Sequence, residues 1–324
     1  MSRMMTADTP NSGPDGAPAA YPFSRIMGWC LRREIWENRS IWIAPAAAAG
    51  LLISTLLFLV LKLLTASGHI EVGPKEQGGD FPTGEALWIP YAIVAGPVLA
   101  MGLLVAIAYC LGALHGERRD RSILFWKSLP VSDLTAVLSK AGIPILAIPL
   151  ISCLAAIVAQ LATFAIVLLV FPMLAAKAHL LWMGVPVDYH TVGKIAAGVP
   201  VLYLTFGMLY AVLATALWHA PIYAWLLLVG GWARRMAVLW AVAPLGGLII
   251  VERIAFGSQH LFMLLQHRLQ PPTTLAVWGM PNDMALPILT PGHFLAAPGL
   301  WGGLAVAALF LAGAVLLRRY RQPI

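Results

Sequence analysis

Residues 141–171 read AGIPILAIPLISCLAAIVAQLATFAIVLLVF, a 31-residue run with no Asp, Glu, Lys or Arg and with Gln160 as its clearest polar group. An α-helix rises 1.5 Å per residue, so about 20 apolar residues cross a hydrocarbon core roughly 30 Å thick. This run is long enough with residues to spare. Its apolar residues are continuous and do not alternate with period two, which suits a spanning helix and not a barrel strand. The same reading places further spans at 42–64, 88–114, 195–218, 236–251 and 295–317. Across all 324 residues 60% are hydrophobic and 11% charged, with a mean hydropathy of +0.81. An ordinary soluble domain carries roughly 25% charged residues. A soluble fold is thereby excluded, and the expected fold is an all-α integral membrane protein with six transmembrane helices.

Charge placement orients the expected bundle. Six crossings put both termini on one side, and that side receives fifteen of the 21 Lys and Arg residues, Lys140 among them. The positive-inside rule makes it the cytoplasm. The net charge of +7 is therefore a topology signal and not a nucleic-acid-binding face, because the basic residues sit at the ends of apolar runs. Cys30, Cys110 and Cys153 lack metal-ligand spacing and read as small buried hydrophobes, so neither a disulfide nor a metal site is expected. Residues 1–20, with Pro10, Gly13, Pro14, Gly16 and Pro18, read as a disordered tail and not a signal peptide. Residues 21–324 form one membrane domain.

Two segments fall outside this scheme. Residues 221–235 are apolar from Pro221 to Gly231 yet too short to cross before Arg234 and Arg235. They suit an interfacial or re-entrant helix on the cytoplasmic side, or else the first part of a long broken fifth helix. Residues 252–292 carry a helix-like stretch at 258–269 followed by Pro271 and Pro272, and are expected outside the bilayer, resting partly on its outer surface.

Ahead of the first span, residues 23–40 place Ile26, Trp29, Cys30, Arg33 and Trp36 at helical spacing among basic neighbours, with Arg32 and Glu34 between them. An amphipathic helix in the headgroup layer accounts for this, anchored by Trp29, Trp36 and Trp42. An ordinary basic flank that only sets topology accounts for it as well.

The link between the second and third spans, HGERRDRSILFWKSLPVSDLTAVLSK at 115–140, is more unusual. Glu117, Arg118, Arg119, Asp120 and Arg121 make a mixed-charge turn. Ile123, Leu124, Phe125 and Trp126 follow at once, then Lys127. Pro130 ends the helix, and Ser132 or Asp133 can cap the next one. Four large apolar residues in a solvated loop would form a sticky patch, so something must cover them. Two coverings satisfy this: the bilayer or neighbouring spans, or a cytosolic partner whose cleft receives a protruding helix rich in Arg and aromatics.

This link closely resembles the coupling-helix region of bacterial permeases of the ABC-type-two exporter family. LRREIWENRSIWIAP at 31–45, WHAPIYAWLLLVGGWARR at 218–235 and VERIAFG at 251–257 extend the resemblance over nearly everything after residue 20. It implies a six-span inner-membrane subunit that pairs with a second permease chain and with two cytosolic ATPase subunits, which bind the ATP and Mg. Glu117, Arg118, Arg119, Asp120, Arg121, Phe125, Trp126, Lys127, Pro130 and Asp133 would form the helix that docks in the ATPase. Trp29, Arg32, Arg33, Glu34 and Trp36 would belong to an elbow helix on the inner surface. Glu252 and Arg253 would mark the outer end of the fifth span.

Absent motifs narrow the function further. The chain has no GxxxxGK[ST] phosphate-binding loop, so ATP hydrolysis would be supplied by a partner and the chain itself is not expected to be an enzyme. The spans are nearly bare of ionisable groups, which disfavours an ion-coupled carrier. His179, Asp188 and His190 share a loop, and His260 and His267 share a helix face without a third ligand, so neither set makes a convincing catalytic or metal centre. The expected function is outward movement of a substrate, with an apolar dimer interface of Leu, Ala, Phe and Trp suited to lipids or amphipathic molecules. The alternative is a membrane scaffold that recruits an ATPase for envelope assembly without transport.

Overall fold

The computed structural model describes residues 22–65, 71–72, 88–119, 132–178, 181–182, 185–186, 201–233, 235–270 and 291–320. Eleven helices are found among them: α1 (Phe23–Glu37), α2 (Ser40–Thr65), α3 (Trp88–Arg119), α4 (Asp133–Gly142), α5 (Ile148–Ala178), α6 (Val201–Trp218), α7 (Ala220–Trp232), α8 (Ala237–Phe256), α9 (His260–Leu269), α10 (Pro291–Ala296) and α11 (Pro298–Tyr320). Three two-residue strands form a small patch. Glu71–Val72 pairs in parallel with Leu181–Trp182, which pairs antiparallel with Val185–Pro186.

Six helices are long and apolar enough to cross a membrane: Ser40–Thr65, Ile93–Gly116, Asp133–Val170, Val201–Trp218, Ala237–Phe256 and Pro298–Tyr320. In each, only 6–39% of the most apolar window is buried within the protein, so most of this apolar surface faces outward. Water would not tolerate such a surface, whereas hydrocarbon does. The chain is a multi-pass helical membrane protein.

Helix ends explain the path of the chain. The backbone N–H and side-chain amide of Asn38 both donate to Glu34 O, at 3.0 and 3.1 Å, closing α1 before the turn into α2. Ser132 caps α4 by accepting from Thr135 N at 3.1 Å. A five-residue π-helical stretch, Ile143–Ala147, joins α4 to α5, so one helical rod runs from 133 to 178. Pro144 and Pro149 lack N–H donors, and a wider turn accommodates that loss without breaking the rod. Met236 (φ 51°) and Gly257 (φ 66°) take left-handed backbone at the two ends of α8.

The structure departs from the sequence reading at 221–235. Helix α7 is neither interfacial nor the first part of the fifth span. It continues α6 through His219, which keeps a helical backbone (φ −83°, ψ 0°) and bonds Thr215 O through its N–H at 2.9 Å. Helix α7 is also the centre of the bundle, packed between α3 and α11, with Ala220, Tyr223, Ala224, Leu227 and Val229 all buried. An interfacial helix would leave one face to water. Length misleads here because Pro221 looks like a helix start when it is only a kink. Close approach is what allows the burial, since a Cβ on Gly230 would lie 2.9 Å from Leu111 O and 3.1 Å from Cys110 O on α3.

Helix α5 packs on α2 and α3, and α1 lies against α4 and the π-helical stretch. Helix α8 touches α7, α9 and α3, and leaves Val238, Val242, Ile250 and Ile254 exposed.

Candidate docking end and its ion-pair clamp

The helices that flank the 115–140 link place its described part at one end of the bundle. Glu117, Arg118 and Arg119 form the last turn of α3, and Asp133 opens α4. Asp120, Arg121, Phe125, Trp126, Lys127 and Pro130 lie outside the described residues. The link is thus bracketed by one helix that enters it and one that leaves it, and the second is held in an unusual way.

Lys140 opens the third span, and its side chain is 4% exposed. Its ammonium donates to Glu34 Oε1 at 2.8 Å, from a carboxylate that is itself 6% exposed. Tyr109 Oη donates to the other carboxylate oxygen, Oε2, at 2.8 Å. Three elements, α1, α4 and α3, therefore meet on one buried carboxylate. Arg318, in the last turns of α11, donates from Nε to Asp133 Oδ1 at 3.1 Å, with the guanidinium side 5% and the carboxylate 28% exposed. Helix α4 is fixed near its start to α11 and near its end to α1 and α3.

A buried ion pair returns little net stability because desolvation offsets the attraction. Removing one partner, however, strands the other charge and costs about 3–5 kcal/mol. What such a pair secures is geometry. Hydrogen-bonded charges in a dry setting hold α1 and α4 in one register.

Among the expected elbow residues, Glu34 differs from its neighbours. Trp29, Arg32 and Trp36 face outward, and Arg33 pairs with Glu37 along α1 at 2.8 Å. Arg25 lies over the Trp29 ring at 5.4 Å. Glu34 alone turns into the bundle. On the same helix, burial pushes the Cys30 thiol above its ordinary range; the Glu34 charge adds to this, while Arg33, Lys140 and Arg318 oppose it. At the neighbouring helix ends His115 Nδ1 lies 3.1 Å from Ala233 O, tying α3 to the chain leaving α7.

Glu252 and Arg253 occupy the opposite end of α8 and organise the turn into α9. Glu252 Oε1 accepts from Ser258 Oγ at 2.7 Å and His260 N at 2.8 Å, and Oε2 accepts from Leu261 N at 2.9 Å. It therefore caps α9, satisfying amides that a helix start leaves free. With the Gln259 amide turned to suit, its oxygen accepts from Arg253 Nη2 at 3.2 Å. Arg268, which sequence reasoning passes over, stacks on Trp218 at 4.2 Å and donates to Gly299 O at 2.8 Å. A Cβ on Gly303 would overlap its guanidinium.

His267 meets Trp218 edge-on at 5.4 Å and His260 faces Glu252 at 3.3 Å, so these two histidines do not converge. Among the described residues no three His, Cys, Asp or Glu side chains come together as metal ligands. His179, Asp188 and His190 lie outside the described residues. No family model matches the sequence, and searches of curated proteins and of solved structures likewise return no match.

Proposed function

We propose that this chain is the permease subunit of an ATP-driven, ABC-type exporter, with its ATPase on separate cytosolic chains. The end where α1, α4 and the last turn of α11 meet is then cytoplasmic, in keeping with the positive-inside rule, and both termini lie there in a bacterial inner membrane. The partner ATPases bind ATP and Mg, since this chain has no phosphate-binding loop. The exposed apolar side of α8 offers a second permease chain a place to pack.

The clamp on α4 carries this reading. A docking link transmits a push only if the helix leaving it is rigid and anchored, and α4 is held by Glu34, Tyr109 and Arg318 and runs on as one rod to residue 178. Closure of the ATPases on ATP moves the link, the link moves the rod, and the bundle rearranges to release an apolar or amphipathic cargo outward.

Reversing Arg118, Arg119 and Arg121 to glutamate in the chain co-expressed with its cognate ATPase is expected to abolish both co-purification and stimulated ATP turnover. Unchanged values of both would refute the docking. Retained docking without movement of a fluorescent lipid in reconstituted vesicles would instead establish the scaffold.

A further inference from the structure

A cavity of about 310 Å³ lies between α3, α5 and the kinked α6–α7 helix, at the small end of the roughly 300–1,000 Å³ range of ligand sites. It forms where two helices are irregular. One wall carries Pro144 and Pro149, within and just after the π-helical stretch, and the other carries His219, the joint ahead of Pro221. Proline donates no N–H, so such places leave carbonyls short of partners, and π turns recur at functional sites.

The lining is apolar apart from Ser152, Thr215, His219 and Tyr223, and no Asp, Glu, Lys or Arg contributes to it. Ser152 is the informative residue. It is 2% exposed, and its Oγ makes no hydrogen bond among the described residues. A helical serine or threonine ordinarily turns its hydroxyl back to a carbonyl three or four residues earlier. Ser54, Thr55 and Ser139 do so here, at 2.9, 2.7 and 2.9 Å. Ser152 does not, and a Cβ on the facing Gly102 would overlap its hydroxyl. A buried hydroxyl without a partner is uncommon in a native fold; this one is enclosed against Gly102, and a turn about the Ser152 Cα–Cβ bond is what would present it to the cavity that the residue lines.

Ala100 and Leu103 of α3 line the cavity and are also exposed on the outer surface. Leu269, at the end of α9, closes another part of the wall, and its carbonyl lies 3.3 Å from His219 Nε2. His219 Nδ1 lies 2.7 Å from Thr215 O, so both ring nitrogens face carbonyl oxygens and a neutral ring donates to one of them. We propose that this cavity binds a single-chain, uncharged amphiphile that enters from the bilayer past Ala100 and Leu103, with Ser152 hydrogen-bonding its hydroxyl or ester group. A charged headgroup would find no counter-charge in the lining. The small volume suits one chain and not two. Binding here does not depend on the ATPase reading, and it is measured on this chain alone.

The test uses the full chain in phosphatidylcholine nanodiscs, with a monoacylglycerol bearing a diazirine in its acyl chain and adducts mapped by mass spectrometry. Adducts are expected on the stretches 99–106 and 208–212, competed by unlabelled monoacylglycerol. Ser152→Ala, which deletes one hydroxyl, should reduce them about three- to tenfold, the worth of one hydrogen bond. Ala211→Phe should abolish them by filling the cavity, whereas Leu154→Phe on the outer face of α5 should leave them unchanged. Two results would overturn the proposal: labelling by a diazirine phosphatidylcholine as strong as by the monoacylglycerol, or labelling indifferent to Ser152→Ala in a protein whose melting temperature is unaltered.

Discussion

Lys140 counts among the charges that orient the bundle, yet it is 3% exposed and locked onto a carboxylate 106 positions earlier in the chain. Replacing it with methionine removes the cation while leaving Glu34 buried, and the expected cost is about 3–5 kcal/mol. Combining Lys140→Met with Glu34→Leu removes both charges and should recover much of that loss, as thermal unfolding in detergent of the two single variants and the double variant would show. A second consequence concerns Cys30. Burial and the Glu34 charge both raise its thiol, so the reactive thiolate forms only at higher pH than for an ordinary cysteine. Neutralising Glu34 removes one raising influence, so in Glu34→Gln the pH midpoint of maleimide alkylation at Cys30 should move down. An unmoved midpoint would mean that Glu34 is not beside the thiol. None of this is legible in the sequence. Asp133 and Arg318 are 185 positions apart, and a lone Glu or Lys near a span end looks the same whether it flanks the membrane or pairs inside the protein.

At the scale of elements, the apolar runs make six spans legible, because a helix in hydrocarbon must be both long and uncharged, and that leaves a strong mark in sequence. Helix α7 leaves no such mark. Its 13 residues fall below the crossing length, and its role depends on Gly230 sitting against the carbonyls of α3, a contact visible only in three dimensions. Gly230→Val is therefore expected to separate α7 from α3, lowering the melting temperature and the folded yield. Gly246→Val, at a helical glycine of α8 where an added Cβ would meet no atom within 4 Å, should have little effect on either. Equal behaviour of the two variants, judged by fluorescence-detected size exclusion, would contradict the close α7–α3 crossing. The cap that Glu252 places on α9 belongs at this scale too: sequence marks Glu252 as notable, but its chemistry is that of a helix start and not of a reacting group.

For the molecule as a whole, the link proposed to dock leads, through the 133–178 rod, to a cavity between the spans. Helix α4 begins at the link, its clamp fixes the link's exit, and the π-helical stretch that follows lines the cavity. Movement at the link would in this way reach the cavity wall directly. The central claim is that residues 115–133 meet a nucleotide-driven partner in the cytosol. A photo-crosslinking amino acid in place of Trp126, irradiated in intact cells, tests this most directly. The expected result is a discrete adduct between this chain and a soluble ATPase subunit carrying a phosphate-binding loop. Adducts with lipid alone, or with a protein on the outer side of the membrane, would contradict it.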